Sequence, residues 1–252
     1  MAGEIISIHS FRGGTGKSNI AANLAAYAAL QGKRVAVMDT DIASPGIHII
    51  FGLGRTKLKH TLNDYLRGEC DITDACIDLT KTFDIRKGQL FLIPSSMTAT
   101  EITRILREGY EVSDLKNGFT EVIQKKNLDY LIIDTHPGLD RETLLSMATA
   151  DHLFVVARID EQDLLGTAAT LSVAAKLQVP DIRIIVNKKP KIYDDKDIIN
   201  QVESKFKCHV ATIIPMLPLL IEAGSRYVII LRHPDSEFTA CIKELYDCIQ
   251  KT

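Results

Sequence analysis

The chain has 252 residues, 30 basic and 32 acidic, for a formal net charge of -2, with 46% hydrophobic and 25% charged residues. That balance supplies a substantial core and excludes disorder, which needs low hydrophobicity or high net charge. It also excludes any global pull toward nucleic acid or acidic membranes.

In chain order, the apolar, β-branched run 5–9 is the first expected strand. An Ala-rich helix over 18–32 follows and ends on Gly32, a residue type suited to a left-handed helix end. Strand 35–38 comes next, then short helices at 64–67 and 72–76, strand 90–93, and helices at 101–108 and 115–126. Strand 130–133 precedes helix 143–148, and strand 153–156 precedes helix 163–177. Strand 182–186 leads to a helix over 194–206, where Asp194, Asp195 and Asp197 suit the positive end of the helix dipole. Ile213 and Ile214 close the strands, and a last helix over 236–249 carries Phe238, Ile242, Leu245 and Ile249 on one face. The strands are near-continuous apolar runs rather than alternating ones, which is the pattern of strands covered on both faces. This β–α alternation predicts an α/β fold with a mainly parallel, doubly wound sheet flanked by helices. With no linker, repeat or low-complexity tract, residues 1–252 are expected to form a single domain.

The segment Phe11-Arg12-Gly13-Gly14-Thr15-Gly16-Lys17-Ser18 lies between the first expected strand and the first expected helix, the context of a phosphate-binding loop. Glycines let successive backbone N–H groups turn inward, and a polyphosphate then rests on them and on the positive helix end. Lys17 would reach the β- and γ-phosphates, and the Ser18 hydroxyl would ligate Mg²⁺. The general pattern G-x-x-x-x-G-K-[ST] has glycine where this chain has Phe11, so the loop is a deviant form. Two companion segments end expected strands on acids: Val35-Ala36-Val37-Met38-Asp39-Thr40-Asp41, and Tyr130-Leu131-Ile132-Ile133-Asp134-Thr135-His136-Pro137-Gly138. Strand C-terminal ends are where ligands bind in open α/β sheets. A spacing of two places Asp39 and Asp41 on the same side if the strand continues. An acid at position 134 suits indirect Mg²⁺ binding.

Together the deviant loop, the Asp-x-Asp strand end and the Asp-Thr-His-Pro-Gly segment resemble the MinD/ParA family of P-loop ATPases, closer to the MinD side. The resemblance runs nearly the length of the chain, through 61–80 to Ile214-Pro215. It implies ATP and Mg²⁺ as ligands, an ATP-dependent homodimer, and slow, partner-stimulated hydrolysis that places or segregates a cellular cargo. By the resemblance, Gly13, Gly14, Thr15, Gly16 and Lys17 form the phosphate cradle with Asn19 beside it. Ser18 is the Mg²⁺ ligand, Asp39 and Asp134 are its outer shell, and Asp41 orients the attacking water. Asn187 reads adenine, and the loop after Pro215 lines the base. Arg12 stands where the family usually has a lysine that reaches across the dimer to the partner's phosphates; arginine keeps the charge but presents a planar fork. His136 departs from the usual small residue or proline, and either senses phosphate or faces solvent.

Other readings stay open. A nucleotide-binding sensor or scaffold with little or no hydrolysis is motivated by Phe11 and Arg12. A metal-cluster carrier would need a Cys-x-x-Cys pair. The five cysteines (Cys70, Cys76, Cys208, Cys241, Cys248) supply none, and they fit reduced thiols better than a disulfide framework. A tyrosine autokinase would need a terminal tyrosine cluster, but only Tyr227 and Tyr246 lie near the end. The N-terminus reads as no signal peptide and no apolar run reaches a membrane span of about 18 residues, so a cytoplasmic protein is expected. The stripe on the last helix is expected to be core rather than a membrane anchor, with Glu237, Glu244 and Asp247 against anionic lipid. Two local basic stretches, Arg55, Lys57, Lys59, Arg67 and Lys188, Lys189, Lys191, leave nucleic acid a possible but unfavoured partner. Asn187-Lys188 lacks the acid of a guanine-reading N-K-x-D motif, because position 190 is Pro190.

Overall fold

The computed structural model describes residues 3–54 and 58–250. In chain order its elements are β1 (Glu4–His9), α1 (Lys17–Leu30), β2 (Arg34–Asp39), α2 (Ile47–Ile50), α3 (Leu62–Leu66), β3 (Ile77–Asp78) and β4 (Gln89–Ile93). Then come α4 (Ala99–Glu108), α5 (Val112–Lys126), β5 (Tyr130–Asp134), α6 (Arg141–Ala148), β6 (His152–Ala157) and α7 (Glu161–Lys176). The chain closes with β7 (Asp181–Lys189), α8 (Asp195–Phe206), β8 (His209–Pro215), α9 (Pro218–Ala223), α10 (Ile229–Arg232) and α11 (Glu237–Ile249).

One eight-stranded sheet has the order β3-β4-β2-β5-β1-β6-β7-β8. Every pairing is parallel except β3 with β4. Successive side chains of a strand point to opposite faces, and the sheet uses both for packing. Ile6, Ile8, Val35, Val37, Leu90, Leu92 and Ile132 pack with α1, α10 and α11. Ala36, Met38, Phe91, Ile93, Leu131 and Ile133 pack on the other side with α3, α4 and α5. This two-sided burial is why the strands read as continuous apolar runs.

α1 runs beneath the sheet with Ala21, Ala22, Ala25, Ala26, Ala28 and Ala29 all buried. Their small side chains let the sheet, α10 and α11 approach together. The helix ends as its sequence suggests: Gly32 has φ +99, its N–H donates to Ala29 O, and Lys33 N–H donates to Ala28 O. This is a Schellman ending.

Asn23, which interrupts the alanines, is fully buried and its Oδ1 accepts the backbone N–H of Ile230, holding the start of α10. On α11, Phe238, Ile242, Leu245 and Ile249 are buried in the core. No helix among the described residues is long and apolar enough to cross a membrane.

Some expectations change. Residues 72–76 form turns rather than a helix, closed by Asp74 N–H to Asp71 O and Cys76 N–H to Thr73 O. Ile72 and Ala75 are both buried, but on successive turns against the core. The antiparallel β3 and the short α2, α9 and α10 were not foreseen. Arg55 and Lys57 of the first basic stretch lie outside the described residues. Arg67 of that stretch is turned inward, paired with Asp64, Glu69 and Glu101.

Candidate functional site

The loop between β1 and α1 leaves the middle of the sheet, with β5 on one side of β1 and β6 on the other. α1 carries the chain toward β2 on one flank, while α6 carries it from β5 across to β6. The crevice at this change of direction is where open α/β sheets bind ligands. Gly14 and Gly16 take φ +75 and +100, the left-handed region that lets the loop curl inward. A Cβ on Gly16 would also overlap the Asn187 side-chain amide. α1 then starts at Lys17 with no side-chain cap and no acid in its first turn, so its N-terminal N–H groups and dipole have no local anion. Thr15 is buried and its hydroxyl has no partner among the described residues.

Carboxylates converge on this loop. Asp39 and Asp134 end adjacent strands in register, and both are buried. Burial, then the neighbouring Asp134 charge, holds the Asp39 carboxyl well above the usual range, against backbone N–H groups that pull it down. Burial likewise pushes Asp134 up to about 6, opposed by the Lys17 ammonium and a hydrogen bond from Ser18. Lys17 is itself buried, which lowers its ammonium pKa against the raising effect of Asp134, Asp41 and Asp39. Asp134 Oδ1 has no hydrogen-bond partner among the described residues. A buried acid pair with an unpartnered oxygen, beside a serine hydroxyl, is short of positive charge, and a divalent cation would supply it.

Asp39 and Asp41 play different parts. Asp39 closes β2, and its carboxylate accepts backbone N–H groups from Asp41 at 3.1 Å, Gly46 at 3.0 Å and Ile47 at 3.3 Å. It therefore ties down the loop leading to α2. Asp41 stands in that loop with Oδ1 accepting Ser44 N–H at 2.9 Å.

At the other end of the loop, Asn187 donates from Nδ2 to Thr15 O at 2.6 Å and accepts Lys188 N–H at 2.8 Å. Lys188, at a bulge in β7 with φ +56, donates from Nζ to Gly14 O at 2.8 Å. Two consecutive residues of β7 thus hold two consecutive carbonyls of the glycine loop. They open onto a cavity of about 400 Å³ whose walls include Asn19, Ile20, Met216, Leu217 and Leu220. Asn19 Nδ2 donates to Ser225 Oγ at 2.9 Å across its floor. The lining begins one residue after Pro215; Pro215 itself faces the neighbouring cavity with Lys189 and Lys191.

The AAA domain family (AAA_31) matches residues 3–184. The chain is 30% identical to an uncharacterised ATP-binding protein (MJ0547) of Methanocaldococcus jannaschii, over 95% of this chain and 85% of that protein. It is 33% identical to the septum site-determining protein MinD of Bacillus subtilis, over 61% of this chain and 53% of that protein. The structure of MinD with Mg-ADP from Pyrococcus horikoshii superposes with a TM-score of 0.80 at 21% identity, covering 98% of this chain and 96% of that one. The chain belongs to the MinD/ParA family of P-loop ATPases. ATP and Mg²⁺ are the ligands of this family.

Within that MinD/ParA frame, Arg12 is engaged inside its own chain. Its guanidinium lies 3.6 Å from Asp160 and 3.8 Å from Asp163, at the N-terminus of α7. Arg158 balances the same pair, at 3.0 Å from Asp160 and 2.7 Å from Asp163. Phe11, where the general loop has glycine, rests against α7 at Gly166, and a Cβ on Gly166 would overlap its ring. Ser10 Oγ fixes the loop by donating to Arg12 O at 2.6 Å. Sequence reasoning missed Lys188, Asp160, Asp163 and Gly166. The Asn187-Lys188 pair was visible as a strand-end dipeptide, but nothing in it announces the bulge that aims the lysine at Gly14. Lys189, from the second basic stretch, is turned to Asp195.

Proposed function

We propose that this chain is an ATP-binding, slowly hydrolysing dimerisation switch that positions or partitions a cellular cargo in the cytoplasm. The observation that carries the reading is where apolar side chains stand exposed. Phe11, Met97, Leu165, Ile192, Tyr193, Met216 and Ile221 are all exposed, and each lies in a loop or an early helical turn after the C-terminal end of a strand. Leu106, also exposed, borders the cavity next to Thr40 and His136. An apolar rim around a charged nucleotide site suits a second copy docked over the nucleotide.

The proposed roles are these. The Gly13–Gly16 backbone and the start of α1 receive the phosphates, and Lys17 neutralises them. Asn187 and the walls after Pro215 hold the base, once the Asn187 amide gives up Thr15 O. Ser18, backed by Asp134 and Asp39, would hold Mg²⁺, whose charge stabilises the phosphate oxygens during transfer. Asp41, which is not committed to a strand, orients the water. Arg12 leaves Asp160 and Asp163 to meet the partner's phosphates, and a protein adaptor or activator reads the paired surface. Nucleic acid is a less favoured partner, because Arg67, Lys188 and Lys189 spend their charges internally.

The test is turnover per protein molecule at rising protein concentration. A switch that acts as a dimer predicts a rate that climbs and saturates, and Lys17→Ala lowers it by about 100-fold. Equal turnover at all concentrations contradicts the dimer. ATP binding without turnover, even with a partner present, leaves the second reading, a sensor or scaffold, which the in-chain pairing of Arg12 favours.

A further inference from the structure

The glycine loop is braced from behind by side chains. In a trans peptide the C=O and the following N–H point in opposite directions, so a contact that fixes a carbonyl also aims the next amide hydrogen. Lys188 Nζ donates to Gly14 O at 2.8 Å, and Asn187 Nδ2 donates to Thr15 O at 2.6 Å. Both donors come from β7, so the N–H groups of Thr15 and Gly16 are turned away from β7. β5, which brings Asp134 to the Ser18 hydroxyl, lies on the opposite side of β1 from β7. The brace therefore aims two successive amide hydrogens toward the side of the loop where the carboxylates stand.

The strand is bent to make this possible. The β7–β8 register shifts between Asn187 and Lys189, and Lys188 takes φ +56, a conformation that non-glycine residues rarely adopt. Asn187 Oδ1 supports that conformation by accepting Lys188 N–H at 2.8 Å. The bulge re-aims one lysine: Lys189 is buried against Asp195, whereas Lys188 reaches the loop 174 positions earlier in the sequence. A loop without this brace has to order its peptides as the ligand binds, and that ordering lowers affinity.

We infer that Lys188 is a positioning residue of the phosphate seat. It holds the Gly14 carbonyl toward β7 and so presets the Thr15 N–H for a polyphosphate, whatever base the nucleotide carries. The inference deepens the nucleotide-binding reading of the loop and rests on it. Lys188 also borders the cavity of about 400 Å³ beside the loop, so the test must separate the phosphates from the base.

The experiment is calorimetry on the full chain with two probes, each with Mg²⁺: ADP, and inorganic tripolyphosphate, which has no base. Lys188→Met keeps the stem that borders the cavity and loses the donor. It is expected to weaken both probes by a similar factor of about tenfold, with the melting temperature of the nucleotide-free protein unchanged. Lys188→Arg, which still donates, recovers most of that loss. The loss persists at about 0.5 M salt, because a short contact is screened far less than a distant charge. A loss confined to ADP overturns the inference and assigns the lysine to the base or ribose. It is equally overturned by unchanged binding of both probes, by no recovery with arginine, or by a loss that vanishes in salt. Should the unsubstituted protein bind neither probe, the phosphate seat itself falls and the inference with it.

Discussion

Arg12 and His9 show how single side chains set the behaviour of the loop. The in-chain contacts of Arg12 are long and its side chain is 40% exposed, so they contribute at most about 1 kcal/mol and make a resting place rather than a lock. Arg12→Ala is expected to leave the melting temperature and monomer ATP binding unchanged while abolishing ATP-dependent dimers in sedimentation. A dimer that survives the change would show that Arg12 never leaves α7. His9 is fully buried beneath the loop, and burial, then the Lys17 charge, depresses its pKa to about 3. The unfolded chain takes up that proton near pH 6.5, so the stability His9 contributes is complete above that pH and is lost as pH falls toward 3. Between about pH 7 and pH 5 the loss is roughly 2 kcal/mol from this group. Urea denaturation at those two pH values should show His9→Asn losing about that much less than the unsubstituted protein. Parallel losses would mean that the ring is protonated in the fold.

At the scale of elements, a tight junction lies where α1 ends and β4 begins. A Cβ on Gly88 would overlap the carbonyl oxygens of Ala29 and Lys33 and the carbonyl carbon of Gly32, and backbone cannot swing away as a side chain can. Gly88→Ala is expected to cost about 3 kcal/mol in urea denaturation, and a cost below about 1 kcal/mol would show that the junction yields. The same elements show what a reader of the sequence can and cannot see. The parallel sheet was legible because burial on two faces leaves strands such as Tyr130–Asp134 without polar alternation. The glycine loop was legible because its chemistry needs those residue types next to one another. The turns at 72–76 replace the expected helix because Ile72 and Ala75 are held by packing against the core. α10 was invisible because its start depends on Asn23, 207 positions away in sequence. The clamp of Lys188 on Gly14 depends on a bulge, and Arg12's resting place depends on a helix about 150 residues later. Contacts of that range leave no local pattern.

For the molecule as a whole, the sheet order brings every element of the site to one edge. β1 delivers the glycine loop, β2 delivers Asp39 and Asp41, β5 delivers Asp134 and His136, and β7 delivers Asn187. The exposed apolar side chains stand at that same edge, so in the proposed dimer nucleotide and partner copy would share one face. The central claim is that ATP joins two copies and hydrolysis separates them. The most direct measurement is sedimentation of Asp41→Ala with Mg²⁺-ATP and with Mg²⁺-ADP. The variant keeps the glycine loop and loses the group proposed to orient water, so it should bind ATP and hold it. The account predicts a doubled mass with ATP alone. A monomer in both nucleotides, with ATP binding confirmed, would contradict it.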